Sequence, residues 1–267
     1  MDDVPFLFVN AVFHCLNSES LSAPRLLAHP LWSSVAEEHH QKRKDYAFWL
    51  CNPGTDKYHV FVVKPDERQY LTPEEWSRRN KTYLRVRKIF ITSMDRINAP
   101  FITLKEALQY SLGMVPYLNN VDKVTTFYFE RDANNVFDFL WKRPCHTFYC
   151  KCYQMYAYSS VLKWHFENND SLKYVRTPLL YYNDVRDLIP LGAEKRLTWK
   201  MRFAINPNSF PYLRTWHAHW EEEYPLVTDV YESAEPNRGS VLYEDEHIRK
   251  ELEWTASASS FLTITWK

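Results

Sequence analysis

"YHVFVVKPDERQYLTPEEWSRRNKTYLRVRKIFIT" (58–92) sets two strand patterns around one helix signal. Aromatic and β-branched residues crowd Tyr58–Val63, and apolar residues alternate with basic ones across Tyr83–Thr92; both patterns predict strands. Between them Thr72 stands at an N-cap position, Pro73 at the first helical position and Glu75 three residues past the cap. That is the signature of a capping box opening a short helix. Strand, helix and strand in this order predict an α/β chain.

Downstream the same alternation continues. "TLKEALQYSLGMVPYL" (103–118) starts on a second cap, Thr103, and predicts a helix with Leu104, Ala107, Leu108 and Leu112 on one face. "VTTFYFE" (124–130), "HTFYCKCY" (146–153), "KYVRTPLLYY" (173–182) and "RLTWKMRFAI" (196–205) read as strands, with helices over "NNVFDFLW" (134–141) and "SSVLKWHFEN" (159–168). "SFPYLRTWHAHWEEEY" (209–224) reads as a helix behind Ser209 and Pro211. "GSVLYED" (239–245) and "SFLTITWK" (260–267) read as strands around a helix in "EDEHIRKELEW" (244–254). Thr126, Thr147, Val175 and Leu197 mark strand-helix units of roughly 20–30 residues, the period of leucine-rich-type solenoids. No L-x-x-L-x-L-x-x-N series accompanies them. The expectation is an irregular leucine-rich-repeat-like stack over residues 57–267, with an open mixed α/β sheet as the alternative.

Upstream, "VPFLFVNAVFHCLNSESL" (4–21) reads as a helix with Val9, Val12, Phe13 and Leu16 in one stripe and Leu21 beyond. Val4, Phe6, Leu7 and Phe8 leave its start almost without a polar side. Pro24 and Pro30 punctuate the next stretch, and Ser33 and Ser34 are placed to cap a helix from Val35 to about Trp49. Residues 4–48 thus read as helical, the "NPGTD" turn (52–56) follows, and residues 1–50 are expected to form a separate helical module.

Composition narrows the function classes. The 267 residues are 45% hydrophobic and 25% charged, an ordinary globular balance able to bury a sizeable core. Formal net charge is zero, so no global field draws nucleic acid or an anionic membrane, and neither partner is expected. The local basic runs "HHQKRK" (39–44) and "RRNKTYLRVRK" (78–88) read as a solvated helix face or sheet rim. Only four glycines are present, none near another, so no Gly-rich phosphate loop, dinucleotide fingerprint or G-x-S-x-G elbow can be written. The opening "MDDVPFLFVNAVF" lacks a basic n-region and a small-residue cleavage site, and no apolar run approaches a membrane span. A cytoplasmic or nuclear chain with its five cysteines reduced is expected.

Clusters with chemical potential are few. Cys145, Cys150 and Cys152 lie in one segment, with Cys150 and Cys152 on one strand face; a zinc site draws paired ligands from two segments, so buried thiols are expected and no metal. In "HAHWEEE" (217–223), His217 with Glu221 and His219 with Glu223 stand at helical spacing, which reads as a solvated helix carrying i,i+4 pairs. "EEHH" (37–40) places His39 and His40 on different faces of a helix surface. No local signature pairs Cys51 or Cys145 with a histidine as a nucleophile. No catalytic residue and no cofactor are expected.

Val4-Pro5, then Val12, Leu16, Leu21, Leu27 and Trp32 with Val35 and Ala36, resemble an F-box: an apolar residue and proline, followed by apolar residues at set intervals to a tryptophan. "MDDVPF" (1–6) and "LWSSVAEEHHQKRK" (31–44) are similar to the large nematode group of F-box-like proteins, in which a short N-terminal F-box precedes a divergent α/β region. The resemblance implies a non-catalytic substrate receptor of a Skp1-cullin-F-box type ubiquitin ligase. Val4, Pro5, Val12, Leu16, Leu21, Leu27 and Trp32 would bind the Skp1-type adaptor, and the α/β region would bind a protein target. Outside that complex the chain is expected to be a monomer. The alternative is an interaction scaffold with no ligase link, its F-box-like segment serving as core.

Overall fold

The unbroken apolar run Tyr46–Cys51 is a strand, and this corrects the helix expected to run on to Trp49. A computed structural model describes residues 5–16, 19–53, 57–65, 70–93, 100–126, 136–150, 159–177, 199–204, 227–232, 238–244, 249–257 and 261–266. By its contacts the chain divides into two units, Met1–Asp122 and Lys123–Lys267, and each is a mixed α/β assembly.

In the first unit, helices α1 (Phe6–Cys15), α2 (Ser22–Arg25) and α3 (Pro30–Lys42) precede strand β1 (Lys44–Cys51). Helix α3 begins at Pro30, earlier than expected. Ser33 and Ser34 do not cap it; their hydroxyls donate back to the carbonyls of His29 and Leu31. It stops at Arg43, whose extended backbone turns the chain into β1. Tyr46, Ala47, Phe48, Leu50 and Cys51 are buried, so both strand faces are covered. Such a strand is apolar at every position, and hydrophobic periodicity does not separate it from a helix.

Strand β1 pairs antiparallel with β2 (Lys57–Val63) and parallel with β4 (Leu84–Thr92). β2 also pairs antiparallel with the short β3 (Tyr70–Leu71) and with β5 (Ile102–Thr103). A bulge interrupts the β1–β4 ladder: Tyr46 faces Val86 and Ala47 faces Lys88, leaving Arg87 without a partner on β1. Both expected capping boxes are formed, Thr72 with Glu75 at the start of α4 (Pro73–Ser77) and Thr103 with Glu106 at the start of α5 (Leu104–Met114). The buried face of α5 is Ala107, Ser111 and Met114, while Leu104 and Leu112 of its apolar stripe are exposed. Helices α4 and α5 pack on β2. Trp76 of α4 fills that layer, edge-on to Tyr46 at 5.2 Å and to Tyr117 at 5.7 Å.

Strand β6 (Val121–Thr126) carries the chain into the second unit, which continues through α6 (Asp138–Trp141), β7 (Cys145–Cys150), α7 (Ser159–Asn168), β8 (Tyr174–Thr177) and β9 (Trp199–Ala204). β7, β8 and β9 run parallel. An antiparallel set follows: β10 (Val227–Glu232), β11 (Arg238–Glu244), β12 (Arg249–Ser257) and β13 (Phe261–Trp266) pair in succession, and β13 closes on β9. β12 corrects the helix expected over 244–254. Its Glu, Lys and Leu residues favour helix, but it pairs along its length with β11 on one side and β13 on the other, and tertiary pairing outweighs such weak preferences. Phe137, Leu140, Trp141, Phe148, Leu162, Phe166 and Val175 form the described core of this unit. Among the described residues, no helix is long and apolar enough to cross a membrane.

Candidate functional site

Helices α1 to α3 build a small core of their own. Val9 and Phe13, one helical turn apart on α1, are fully buried with Leu21, Val35 and Ala36, and Leu16, Leu31 and Trp32 pack against them. The Trp32 ring meets Phe13 edge-on at 5.8 Å, a favourable aromatic geometry. Polar links fix the three helices: Arg25 Nε donates to Glu37 Oε2 at 2.6 Å, and His39 Nε2 donates to Asn10 Oδ1 at 2.8 Å. His39 was expected on the surface and is instead completely buried. It sits on the face of α3 turned to α1, beside Phe13 and His14. Burial first, then the positive neighbours His14, Arg43 and Arg85, lower its pKa to about 4, so the ring is neutral at pH 7.

The end of α1 is tied to the strands. The last carbonyls of a helix have no partner within it and carry the negative end of its dipole. Arg43 Nη2 donates to the Leu16 carbonyl at 2.8 Å, and Arg85 Nη1 reaches the same oxygen at 2.6 Å and that of Phe13 at 3.4 Å. Asn120 Nδ2 donates to the Cys15 carbonyl. Arg85 and Arg87, expected on a solvated rim, are buried; the guanidinium of Arg85 is used as a helix cap, and that of Arg87 pairs with Asp122.

The start of α1 is the opposite. Phe6, Leu7 and Phe8 are exposed, Leu7 to 77%, and so are Leu26 at 88% and Leu27 just past α2. Three large apolar residues in succession, turning about 100° each, cannot all reach one core, and Val9 and Phe13 take that direction. At the end of α2 the Leu26 and Leu27 amides donate to Ala23 and Pro24 carbonyls, a tight turn that leaves both side chains outside. Scattered apolar residues are ordinary on a surface; five large exposed ones within two short segments of a three-helix module are more than scatter, and such surface is what partners cover.

The sequence-derived docking residues divide accordingly. Pro5 and Leu27 are exposed; Val12, Leu16 and Trp32 are half-buried; Leu21 is buried in the module's own core. Val4 lies outside the described residues. Phe6, Leu7, Phe8 and Leu26 are the exposed positions that the interval pattern passed over, although the all-apolar string 6–8 signalled them.

The chemically suggestive clusters resolve differently. Cys145 and Cys150 are buried thiols, as expected; Cys51 is buried too, and Cys152 lies outside the described residues. Burial pushes the Cys145 thiol up to about 12, which keeps it protonated and unreactive at neutral pH. The nearby His165 is committed to structure: its Nε2 donates to the Trp141 carbonyl at 2.8 Å and its Nδ1 accepts from Asn169, which also donates to the Cys145 carbonyl at 2.9 Å. Among the described residues, no three His, Cys, Asp or Glu side chains are grouped as metal ligands. The "HAHWEEE" cluster lies outside the described residues. No family model matches the chain, and no curated protein or solved structure matches it either.

Proposed function

We propose that the helices within residues 1–50 are an F-box-like docking module and that the chain is a non-catalytic substrate receptor, binding a Skp1-type adaptor through its N-terminal helices and a protein target through its α/β region. The observation that carries this reading is the exposed set Phe6, Leu7, Phe8, Leu26 and Leu27 on a module whose own core is already filled by Val9, Phe13, Leu21, Val35 and Ala36. Apolar helix surface of this kind docks in partner grooves. The resemblance of Val4-Pro5 through Trp32 to the F-box interval pattern names the partner. For the target side, support comes from the strand-helix succession β6, α6, β7, α7, β8 with β7 and β8 parallel, the arrangement a leucine-rich-like stack repeats.

The test is capture of the purified chain by a Skp1-type adaptor. Leu7→Asp/Leu26→Asp places a charge on each of the two exposed apolar segments and should abolish binding while leaving the fold intact. Val9→Asp should unfold the module. A wild-type chain that does not bind, or a folded Leu7→Asp/Leu26→Asp variant that binds as well as wild type, refutes the proposal. The scaffold alternative draws its support from the other end of α1, where Arg43 and Arg85 hold the helix to the strands; it would be favoured by wild-type protein that ignores the adaptor.

A further inference from the structure

Three guanidinium groups within electrostatic reach of one another, Arg43, Arg85 and Arg87, share only two carboxylates among the described residues. Arg43 Nε lies 3.4 Å from Asp45, and Arg87 forks onto both oxygens of Asp122. Arg85 is 4% exposed and, among the described residues, bonds only to the Phe13 and Leu16 carbonyls and leaves its Nη2 with no hydrogen-bond partner. Carbonyl dipoles soften a buried cation without neutralising it, and a guanidinium without a counter-ion is an unstable thing to enclose. Burial and the two neighbouring arginines lower its pKa to about 9, the same imbalance seen from the proton's side.

A cleft of about 510 Å³ opens beside it. Its walls include Arg85, Lys81, His14, Asn10, Asn119 and Asn120, and among the described residues no aspartate or glutamate lines it. The Lys81 ammonium stands 5.4 Å from the Tyr117 ring and, like the Arg85 guanidinium, forms no ion pair with a carboxylate among the described residues. Asn119 Nδ2 donates to the Pro116 carbonyl and Asn120 Nδ2 to that of Cys15. Each carboxamide therefore keeps a second N–H to offer. Two cations, spare amide donors and no competing acid make a pocket for negative charge; its volume suits a small molecule carrying such a group.

We propose that this cleft binds a small ligand through a phosphate or carboxylate oxyanion, held by Lys81 and the Asn119 and Asn120 amides over the uncompensated charge of Arg85.

The test uses the full chain, titrated with sodium phosphate and separately with sodium acetate, each against sodium chloride at matched ionic strength. Thermal unfolding and the ring signals of His14, assigned with His14→Gln, are followed. One oxyanion should raise Tm and move the His14 signals saturably where chloride does not, and which of the two binds more tightly assigns the group. Lys81→Met, at a half-buried position outside the strands, should weaken that binding by about fivefold or more, the loss of one charged contact. Arg85→Met should abolish it; if that variant fails to fold, Lys81→Met decides. Chloride reproducing the effect, no saturable response to either oxyanion, or equal binding by Lys81→Met and wild type would each overturn the proposal.

Discussion

Lowering the pH from 7 to 4 should loosen the helical module through His39. In the folded chain this ring titrates near 4, and in the unfolded chain near the ordinary value of about 6.5. Between those values the unfolded state binds the proton and the folded state does not. Stability is therefore whole above about pH 6.5, falls as pH drops through the window, and has lost its full share below about 4. The gap, at ~1.36 kcal/mol per pH unit, is about 3 kcal/mol, a large part of a small module's stability. The structural reason is specific: protonated, His39 would put a cation between Phe13 and the half-buried His14, within reach of Arg43 and Arg85. His14 is lowered too, by burial and by Arg85, and adds a contribution of the same sign. Glu37, Glu38, Glu74 and Glu106 are held below the usual carboxylate range by hydrogen bonds, so their contribution vanishes lower, as pH falls through the carboxylate range. Urea unfolding at pH 7, 5.5 and 4, on wild type and on His39→Gln, separates the groups. The glutamine keeps a donor for Asn10 but does not titrate, so between 7 and 5.5 its stability should fall by clearly less than that of wild type, by the His14 share alone. Parallel loss of stability in both proteins over that interval would refute the assignment.

Phe13→Ala should cost about 3–5 kcal/mol, read by urea unfolding, because the ring is wholly enclosed among Trp32, His39 and the aliphatic core of the module. Thr103→Ala should cost about 1 kcal/mol, since the hydroxyl receives the Glu106 amide at the start of α5, and Thr103→Ser should restore most of it. A Thr103→Ala protein as stable as wild type would mean that α5 is held by packing alone.

What the sequence made legible follows the range of the interactions. The two capping boxes were readable because Thr72 with Glu75, and Thr103 with Glu106, act within one helical turn. Strand β4 was readable from its alternation, as was α7 from its spacing. Strand β1 was hidden because a strand covered on both faces shows no period. β12 was hidden because its helix-favouring residues are overruled by two neighbours, one of them β13, that local preference does not register. The apolar start of α1 announced an exposed surface; which residues would form it waited on the direction of Val9 and Phe13. The burial of His39, Arg85 and Arg87 was illegible, since Arg85 meets α1 carbonyls 69 and 72 positions away in sequence. In "RRNKTYLRVRK" a solvated arginine and a buried cap look alike.

The two ends of α1 thus carry different duties, and this separation is itself testable. Its first turn presents Phe6, Leu7 and Phe8, while its last carbonyls are held by Arg43, Arg85 and Asn120 beside the proposed oxyanion cleft. Ten residues of helix set the two ends about 15 Å apart. Charge on the first turn is screened over that distance in physiological salt, and side chains at the two ends share no contact. Mutations so separated behave additively. Leu7→Asp should therefore disrupt adaptor capture and leave oxyanion binding within about twofold of wild type, while Lys81→Met should do the reverse. If either variant moved both readouts in a folded protein, α1 would be acting as one lever between the patch and the cleft, and the division of its two ends argued from burial and capping would be wrong.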